Sequence, residues 1–163
     1  MRILSHLVLP RSALERRFPS HALTAIEEAV EASEKTHRAE IRVAIEVALD
    51  VRALFRVRSA RERALEVFSE ICVWNTRERN GVLIYVLLAE RDVEIVADSG
   101  FDGRVDEAEW LRVCTVMERE FAAGRWRDGV LHGIEAATVL LAREFPAATG
   151  PNLNEQQNRP AVL

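Results

Sequence analysis

The sequence predicts an α/β protein, in which a three-layer α/β/α sandwich surrounds a small mixed β-sheet. The uncharged run Val82–Leu88 has the composition of a strand that is buried on both faces. A short polar stretch separates it from the alternating segment Val93–Asp98, and this arrangement predicts an antiparallel hairpin. The alternating segment Ile41–Leu49 and a helical pattern that starts at Ser59 precede the hairpin. Strand, helix and strand in this order predict a right-handed crossover with parallel strands.

The composition narrows the class of protein. A chain of 163 residues with 48% hydrophobic and 29% charged residues is typical of one globular domain. The net charge of -4 predicts no general attraction to nucleic acid or to an anionic membrane. No apolar run is long enough to span a membrane, and the N-terminus lacks the pattern of a signal peptide, so we expect a cytoplasmic protein. Cys72 and Cys114 are expected to be buried, reduced thiols.

Three parts are predicted along the chain. Residues 1–19 form a helical flap that Pro10 divides into two short pieces. Residues 20–146 form the α/β domain, and residues 147–163 form a polar, mobile tail. The flap and the tail are the segments through which we expect any protein partner to bind.

The first half of the domain contains two predicted helices and one predicted strand. Ser20 is expected to cap a helix that runs to about Thr36. In the strand Ile41–Leu49, Arg42 and Glu46 point away from the core, so that face is predicted to be wet or thinly covered. Ser59 begins the next helix with a capping box that includes Glu62.

Two further helices complete the predicted domain. Asp106 begins the first of them with box-like spacing to Glu109, and Gly124 ends it. The last helix runs from Trp126 to Phe145 and stops before Pro146.

A cation site is predicted at one edge of the sheet. The hairpin places the loop Asn75–Gly81 beside the loop Ser99–Asp106, and parallel strands bring Glu40 to the same edge. The second loop is rich in carboxylates, and Ca²⁺ requires oxygen ligands. The first-choice ligands are Asp98, Asp102, Asp106 and Glu109, and the supporting ligands are Glu40, Thr76 and Asn80.

The acidic loop partly follows the spacing of an EF-hand. Acids occupy positions 1, 5, 9 and 12 of residues 98–109, and Gly103 occupies position 6. Position 3 is Gly100, however, and a strand rather than a helix precedes the loop. The alternative is a solvated acidic turn followed by a helix cap, where carboxylates favour the positive end of the helix dipole. A looser site built from several loops is favoured over a true EF-hand.

Other chemistry has weaker support in the sequence. The four histidines are scattered without zinc-like spacing, and no glycine-rich phosphate loop is present. The arginines of residues 52–63 alternate with acids, as on a solvated helix face. No convincing set of nucleophile and base emerges.

Two stretches carry a resemblance to a known family. The segment RNGVLIYVLLAERDVEIVADSG, followed by Trp110 and later by FAAGRWRDGVLHGI, is similar to the TPM domain. The similarity covers about residues 20–146, and the sequence resembles the short bacterial branch of the family. It implies a mixed sheet between helices, Ca²⁺ binding in loops at one edge, and the acid phosphatase activity of plant relatives. One departure is Ser99-Gly100-Phe101-Asp102-Gly103, where the family has Gly-x-Gly-Leu-Glu.

The leading functional hypothesis is a divalent-cation module that binds Ca²⁺ in preference to Mg²⁺. One alternative is a metal-assisted phosphatase with a phosphate-containing substrate, in which the cation polarises a phosphoryl oxygen. A second alternative is a non-catalytic scaffold that uses its terminal segments.

Overall fold

A four-stranded mixed sheet lies between two layers of helices. The computed structural model describes residues 12–49, 59–149 and 154–163. The helices are α1 (Ser12–Arg17), α2 (Ser20–Glu34), α3 (Ala60–Glu70), α4 (Glu107–Ala122) and α5 (Trp126–Glu144). The strands are β1 (Glu40–Glu46), β2 (Gly81–Leu87), β3 (Asp92–Ala97) and β4 (Ala161–Val162), and Ser99–Phe101 form a 3₁₀ turn.

The sheet has the strand order β3-β2-β1-β4. Strand β1 is parallel to β2, with Glu40 opposite Gly81, and β2 is antiparallel to β3, with Val82 opposite Ala97. The central hairpin and the parallel crossover are therefore confirmed. Helix α3 covers one face of the sheet, while α2, α4 and α5 cover the other, which confirms the predicted sandwich.

The larger core lies on the face that α2, α4 and α5 cover. Alternate residues of the strands, such as Ile41, Ile84 and Ile95, pack there against the helices. Gly129 and Gly133 of α5 make a close helix–helix contact possible. A Cβ atom at Gly129 would lie 2.5 Å from the Phe121 ring, and a Cβ atom at Gly133 would lie 2.3 Å from the sulfur of Met117.

The second face is more deeply buried than the sequence predicts. The expectation of a wet or thinly covered face on β1 was wrong, because Glu40, Arg42 and Glu46 are only 1%, 8% and 8% exposed. Helix α3 covers the Glu46 end through Arg63, whose Nε lies 2.9 Å from Glu46 Oε2. The C-terminal residues cover the other end.

Residues after the last helix take part in the sheet. No strand is predicted beyond residue 146, but Ala161 and Val162 pair in parallel with Ala44 and Ile45. This pairing gives β1 a neighbour on each side and accounts for its burial.

The helix ends mostly follow the predicted caps. Ser59 Oγ accepts the Glu62 backbone N–H at 3.1 Å, and Gly124 has the positive φ of +78° expected at a helix C-terminus. Helix α2 differs, because Pro19 rather than Ser20 occupies its N-cap. The predicted break at Pro10 and three of the arginines of residues 52–63, namely Arg52, Arg56 and Arg58, lie outside the described residues.

The two cysteines differ in accessibility. Cys114 is buried, as predicted, whereas Cys72 is exposed, so the prediction of burial for Cys72 was wrong. Cys72 follows α3 with a φ of +54°, in a turn at the surface. Among the described residues, no helix has the length and apolar composition needed to cross a membrane.

Candidate cation site at one sheet edge

Two loops meet at the edge of the sheet where β2 begins and β3 ends. The Asp98 N–H donates to Gly81 O at 2.9 Å, and the Gly100 N–H donates to Arg79 O at 2.8 Å. The Glu40 N–H donates to Asn80 O at 3.3 Å, which brings the start of β1 to the same place. The hairpin thus places the two loops side by side, as the sequence predicts.

The loop before β2 has a tightly constrained backbone. Thr76 Oγ1 accepts the Asn80 N–H at 3.1 Å, and Arg79 adopts the left-handed region with φ of +54°. This conformation turns the carbonyl groups of Glu78 and Arg79 toward the second loop. A Cβ atom at Gly100 would lie 2.8 Å and 2.5 Å from these two oxygen atoms, so this close approach requires glycine.

Two buried side-chain oxygen atoms at this edge lack hydrogen-bond partners. In the described part of the chain, Asn80 Oδ1 and Asp98 Oδ2 are the atoms in this condition. Asn80 is 1% exposed, and its Nδ2 donates to Arg38 O at 2.7 Å. Asp98 is 8% exposed, and its Oδ1 accepts the Ser99 N–H at 2.7 Å. Arg79 Nε stands 4.0 Å from Asp98 Oδ2, which is beyond hydrogen-bonding distance.

The acidic loop itself does not fold around a central point. Ser99–Phe101 form a 3₁₀ turn that inserts Phe101 into the core, where its ring packs edge-to-face against Trp110 and Phe145. Asp102 is exposed on the turn that follows. Asp106 is exposed at the N-cap of α4, so its position is that of a helix cap.

Glu109 is already engaged by an arginine. Arg143 of α5 donates to both carboxylate oxygens, at 2.8 and 3.2 Å, and the Asp106 N–H donates to Oε2 at 3.1 Å. These hydrogen bonds, those from Arg143 above all, lower the pKa of Glu109 to about 2. A cation would have to displace Arg143 before it could use this carboxylate.

The supporting residues are also partly engaged. Glu40 Oε2 accepts the Gln156 N–H at 3.1 Å, and burial raises the pKa of the Glu40 carboxyl group. Thr76 is buried and accepts one hydrogen bond from Asn80. Within residues 12–49, 59–149 and 154–163, no three His, Cys, Asp or Glu side chains are grouped so that they could hold a metal ion.

A cleft of about 560 Å³ opens beside Asp98. It lies along the outer edge of β3, between Arg61 of α3 and the first turns of α4. Its walls include Asp98, Asp102, Phe101 and Trp110. The cleft gives solvent and small solutes access to the Asp98 side of the loops.

Two buried polar networks are absent from the sequence-based predictions. Ser33 Oγ lies 2.8 Å from His37 Nε2 and 2.6 Å from Thr138 Oγ1, and His37 Nδ1 lies 2.9 Å from Ala39 O. Burial lowers the pKa of His37 to about 4, and the ring itself is fully buried where the network joins α2 to α5. The signal in the sequence is Ser33 on the apolar face of its helix, four residues before a histidine.

The second network lies under α3. Tyr85 Oη donates to Glu46 Oε2 at 2.6 Å, and Arg63 binds the same carboxylate while contacting Glu66 and Glu70. Sequence reasoning missed it because it assigned Glu46 to a wet face.

The fold and these loops define a class of protein, an α/β/α sandwich with oxygen-rich loops at one end of its central hairpin. Residues 17–139 match the TPM domain, so the chain belongs to the TPM domain family. The BA42 protein of the psychrophilic bacterium Bizionia argentinensis is similar in structure, with a TM-score of 0.76 and 29% identity over 88% of this chain and 93% of that protein. The N-terminal domain of a P. gingivalis protein has a TM-score of 0.62 and 18% identity over 80% and 82% of the two chains, and shares the fold. No curated protein sequence matches the chain.

Proposed function

We propose that this TPM domain binds Ca²⁺ between the loop at 76–80 and the loop at 98–102. The observation that carries the proposal is that two buried oxygen atoms, Asn80 Oδ1 and Asp98 Oδ2, have no hydrogen-bond partner. A buried oxygen without a partner costs about 1–3 kcal/mol, and a buried carboxylate oxygen costs more. In this proposal one bound cation coordinates both atoms.

The donor set suits a hard cation. Asn80 and Asp98 provide an amide and a carboxylate oxygen, and the carbonyl oxygens of Glu78 and Arg79 lie in the same pair of loops, close to Gly100. Ca²⁺ accepts six to eight such oxygens in irregular geometry, whereas Mg²⁺ demands a regular octahedron at shorter distances. Ca²⁺ is therefore the better candidate.

The proposed ligand set is narrower than the sequence-based one. Asp98 and Asn80 are the central ligands, and Asp102, from its exposed turn, adds charge nearby. Glu109 is excluded because Arg143 occupies both of its oxygens. Asp106 remains a helix cap, Thr76 supports the first loop through its hydrogen bond with Asn80, and Glu40 accepts the Gln156 N–H of the C-terminal segment.

Calorimetry on the chelator-treated full chain tests the proposal. We expect a dissociation constant between about micromolar and millimolar for Ca²⁺ and weaker binding of Mg²⁺, because few charged ligands are available. Asp98→Asn should abolish the heat of Ca²⁺ binding, and Asn80→Ala should weaken binding.

Two matched variants serve as controls. Glu109→Gln should leave Ca²⁺ affinity unchanged, and so should Asp128→Asn on the distant helix α5. Equal Ca²⁺ affinity in wild type and Asp98→Asn, or no heat at millimolar Ca²⁺, would refute the site.

A further inference from the structure

The C-terminal segment, residues 154–163, lies along the edge of β1 that β2 leaves open. Ala161 and Val162 pair with β1, and the Leu163 N–H donates to Ile45 O at 3.0 Å. The segment lies outside residues 17–139, which match the TPM domain. It therefore adds a strand to a sheet that the matched domain builds with three.

Two buried charged side chains of β1 bind the main chain of this segment. Arg42 donates to the carbonyl oxygens of Gln157 and Arg159, the latter at 2.6 Å. Glu40 accepts the Gln156 N–H at 3.1 Å. Arg42 also donates to Gln157 Oε1 at 3.3 Å, but most of these bonds go to N–H and C=O groups that an extended peptide offers.

The side chains that anchor the segment make mainly polar contacts. Glu155 Oε2 accepts the Arg77 N–H at 3.1 Å, Gln156 Nε2 donates to Cys72 O at 3.1 Å, and Gln157 Oε1 accepts from Arg42 at 3.3 Å. Among residues 154–163, Pro160 is the one that is buried. The ion pair of Arg159 with Glu27, at 3.4 Å, is exposed and contributes little to stability. A space of about 700 Å³ remains between the segment and α2. Directional bonds with few apolar contacts favour local opening, in which the segment leaves while the rest of the domain stays folded.

With the β1 edge open, the rest of the domain would stay folded and would not aggregate through that edge. When the segment leaves, Glu40 and Arg42 regain water, so neither charge is left buried without a partner. Charged residues on an edge strand also disfavour nonspecific pairing with other strands. Productive pairing needs a segment that offers an N–H to Glu40 and carbonyl groups to Arg42 at the spacing of residues 156–159.

We propose that the β1 edge is an exchangeable strand-docking site, at which residues 154–163 of a second copy of this chain replace the chain's own. The contacts in the exchanged form are those of the closed form, because both copies carry the same edge and the same segment. The closed form is favoured at low concentration, since its segment is held at a high effective concentration. In the exchanged form the occupant of this site is residues 154–163 of a neighbouring copy.

Complementary full-length variants test the exchange. Pro160→Asp places a charge at the buried position of the segment, which releases it and leaves Glu40 and Arg42 available. A fluorescent peptide of residues 154–163 should bind this variant at least about tenfold more tightly than wild type, by anisotropy, because no attached segment competes. The same peptide methylated at the Gln156 nitrogen should lose binding, since it lacks the N–H that Glu40 accepts.

A second variant supplies the segment from an intact chain. Arg42→Gln weakens the docking edge but keeps the segment, so unlabelled Arg42→Gln protein should displace the peptide from Pro160→Asp protein. The double variant has neither partner and should not displace it. Equal peptide affinity for wild type and Pro160→Asp, equal binding of the methylated peptide, or no displacement would overturn the proposal.

Hydrogen exchange on wild-type protein provides an independent test that does not depend on how the variants fold. The Leu163 and Gln156 amides should exchange at least about a hundredfold faster than amides of β2, because they open with the segment alone. Exchange of these amides only through global unfolding would show that the segment cannot leave, and the proposal would be wrong.

Discussion

Replacing Glu34 by glutamine should make the protein more stable at neutral and alkaline pH. Glu34 is 7% exposed at the end of α2, and its Oε1 accepts the Ile41 N–H at 3.1 Å. Burial raises its pKa from 4.5 to about 8, and the neighbouring Glu40 carboxyl group adds to the effect. The amide of the Glu34→Gln variant would keep an acceptor for the Ile41 N–H without the charge.

The sign of the pH dependence follows from the raised pKa. Between pH 4.5 and 8 the folded protein holds a proton on Glu34 that the unfolded chain releases, so unfolding becomes more favourable as pH rises. The contribution of Glu34 is fully present below pH 4.5 and is lost as pH rises through 8. A shift from 4.5 to about 8, at about 1.36 kcal/mol per pKa unit, corresponds to about 5 kcal/mol over the whole window.

Urea unfolding followed by far-UV circular dichroism from pH 4 to pH 9 measures the effect. The free energy of unfolding of wild type should fall with pH more steeply than that of Glu34→Gln, and the variant should be more stable by several kcal/mol above pH 8. Glu28→Gln, an exposed position on the same helix, should follow the wild-type curve. Parallel curves for wild type and Glu34→Gln would refute a protonated, buried Glu34.

Three further predictions concern the loops, the thiols and catalysis. Gly100→Ala should lower the free energy of unfolding by about 1–3 kcal/mol in thermal or urea denaturation, since its Cβ would meet the carbonyl oxygens of residues 78 and 79; unchanged stability would mean that the loops can separate freely. Native protein should react quickly with a thiol reagent at Cys72 and slowly at Cys114, which is buried and whose pKa burial raises to about 12; equal rates at the two sites, by mass spectrometry, would contradict this difference. If the domain is a metal-assisted phosphatase, hydrolysis of an aryl phosphate should require a divalent cation and disappear in Asp98→Asn; activity that survives this variant does not arise at the proposed site.

Local patterns in the sequence were enough to predict the central elements. The uncharged run that became β2 could be recognised because a strand buried on both faces excludes charge, and the polar turn after it indicated the hairpin. The caps at Ser59 and Asp106 depend on residues three positions apart, so neighbouring letters predict them. The adjacency of the two loops then followed from the geometry of a hairpin.

Tertiary structure decided which predicted ligands are available. Glu109 is engaged by Arg143, which is 34 residues away, and no spacing rule relates the two positions. Asn80 and Asp98, by contrast, each keep one buried side-chain oxygen without a hydrogen bond. The sequence shows which residues are acidic, but only the packing determines which carboxylates already have hydrogen-bond partners.

The burial of Glu40, Arg42 and Glu46 could not be predicted from the sequence either. Alternation along β1 predicts correctly that these side chains share one face, but it carries no information about what covers that face. The covers are α3 and a C-terminal segment more than 110 residues away, whose polar composition predicts no strand. Hydrogen bonds to main-chain groups help to hold that segment on the sheet, and because nearly every residue type offers such groups, the sequence does not reveal them.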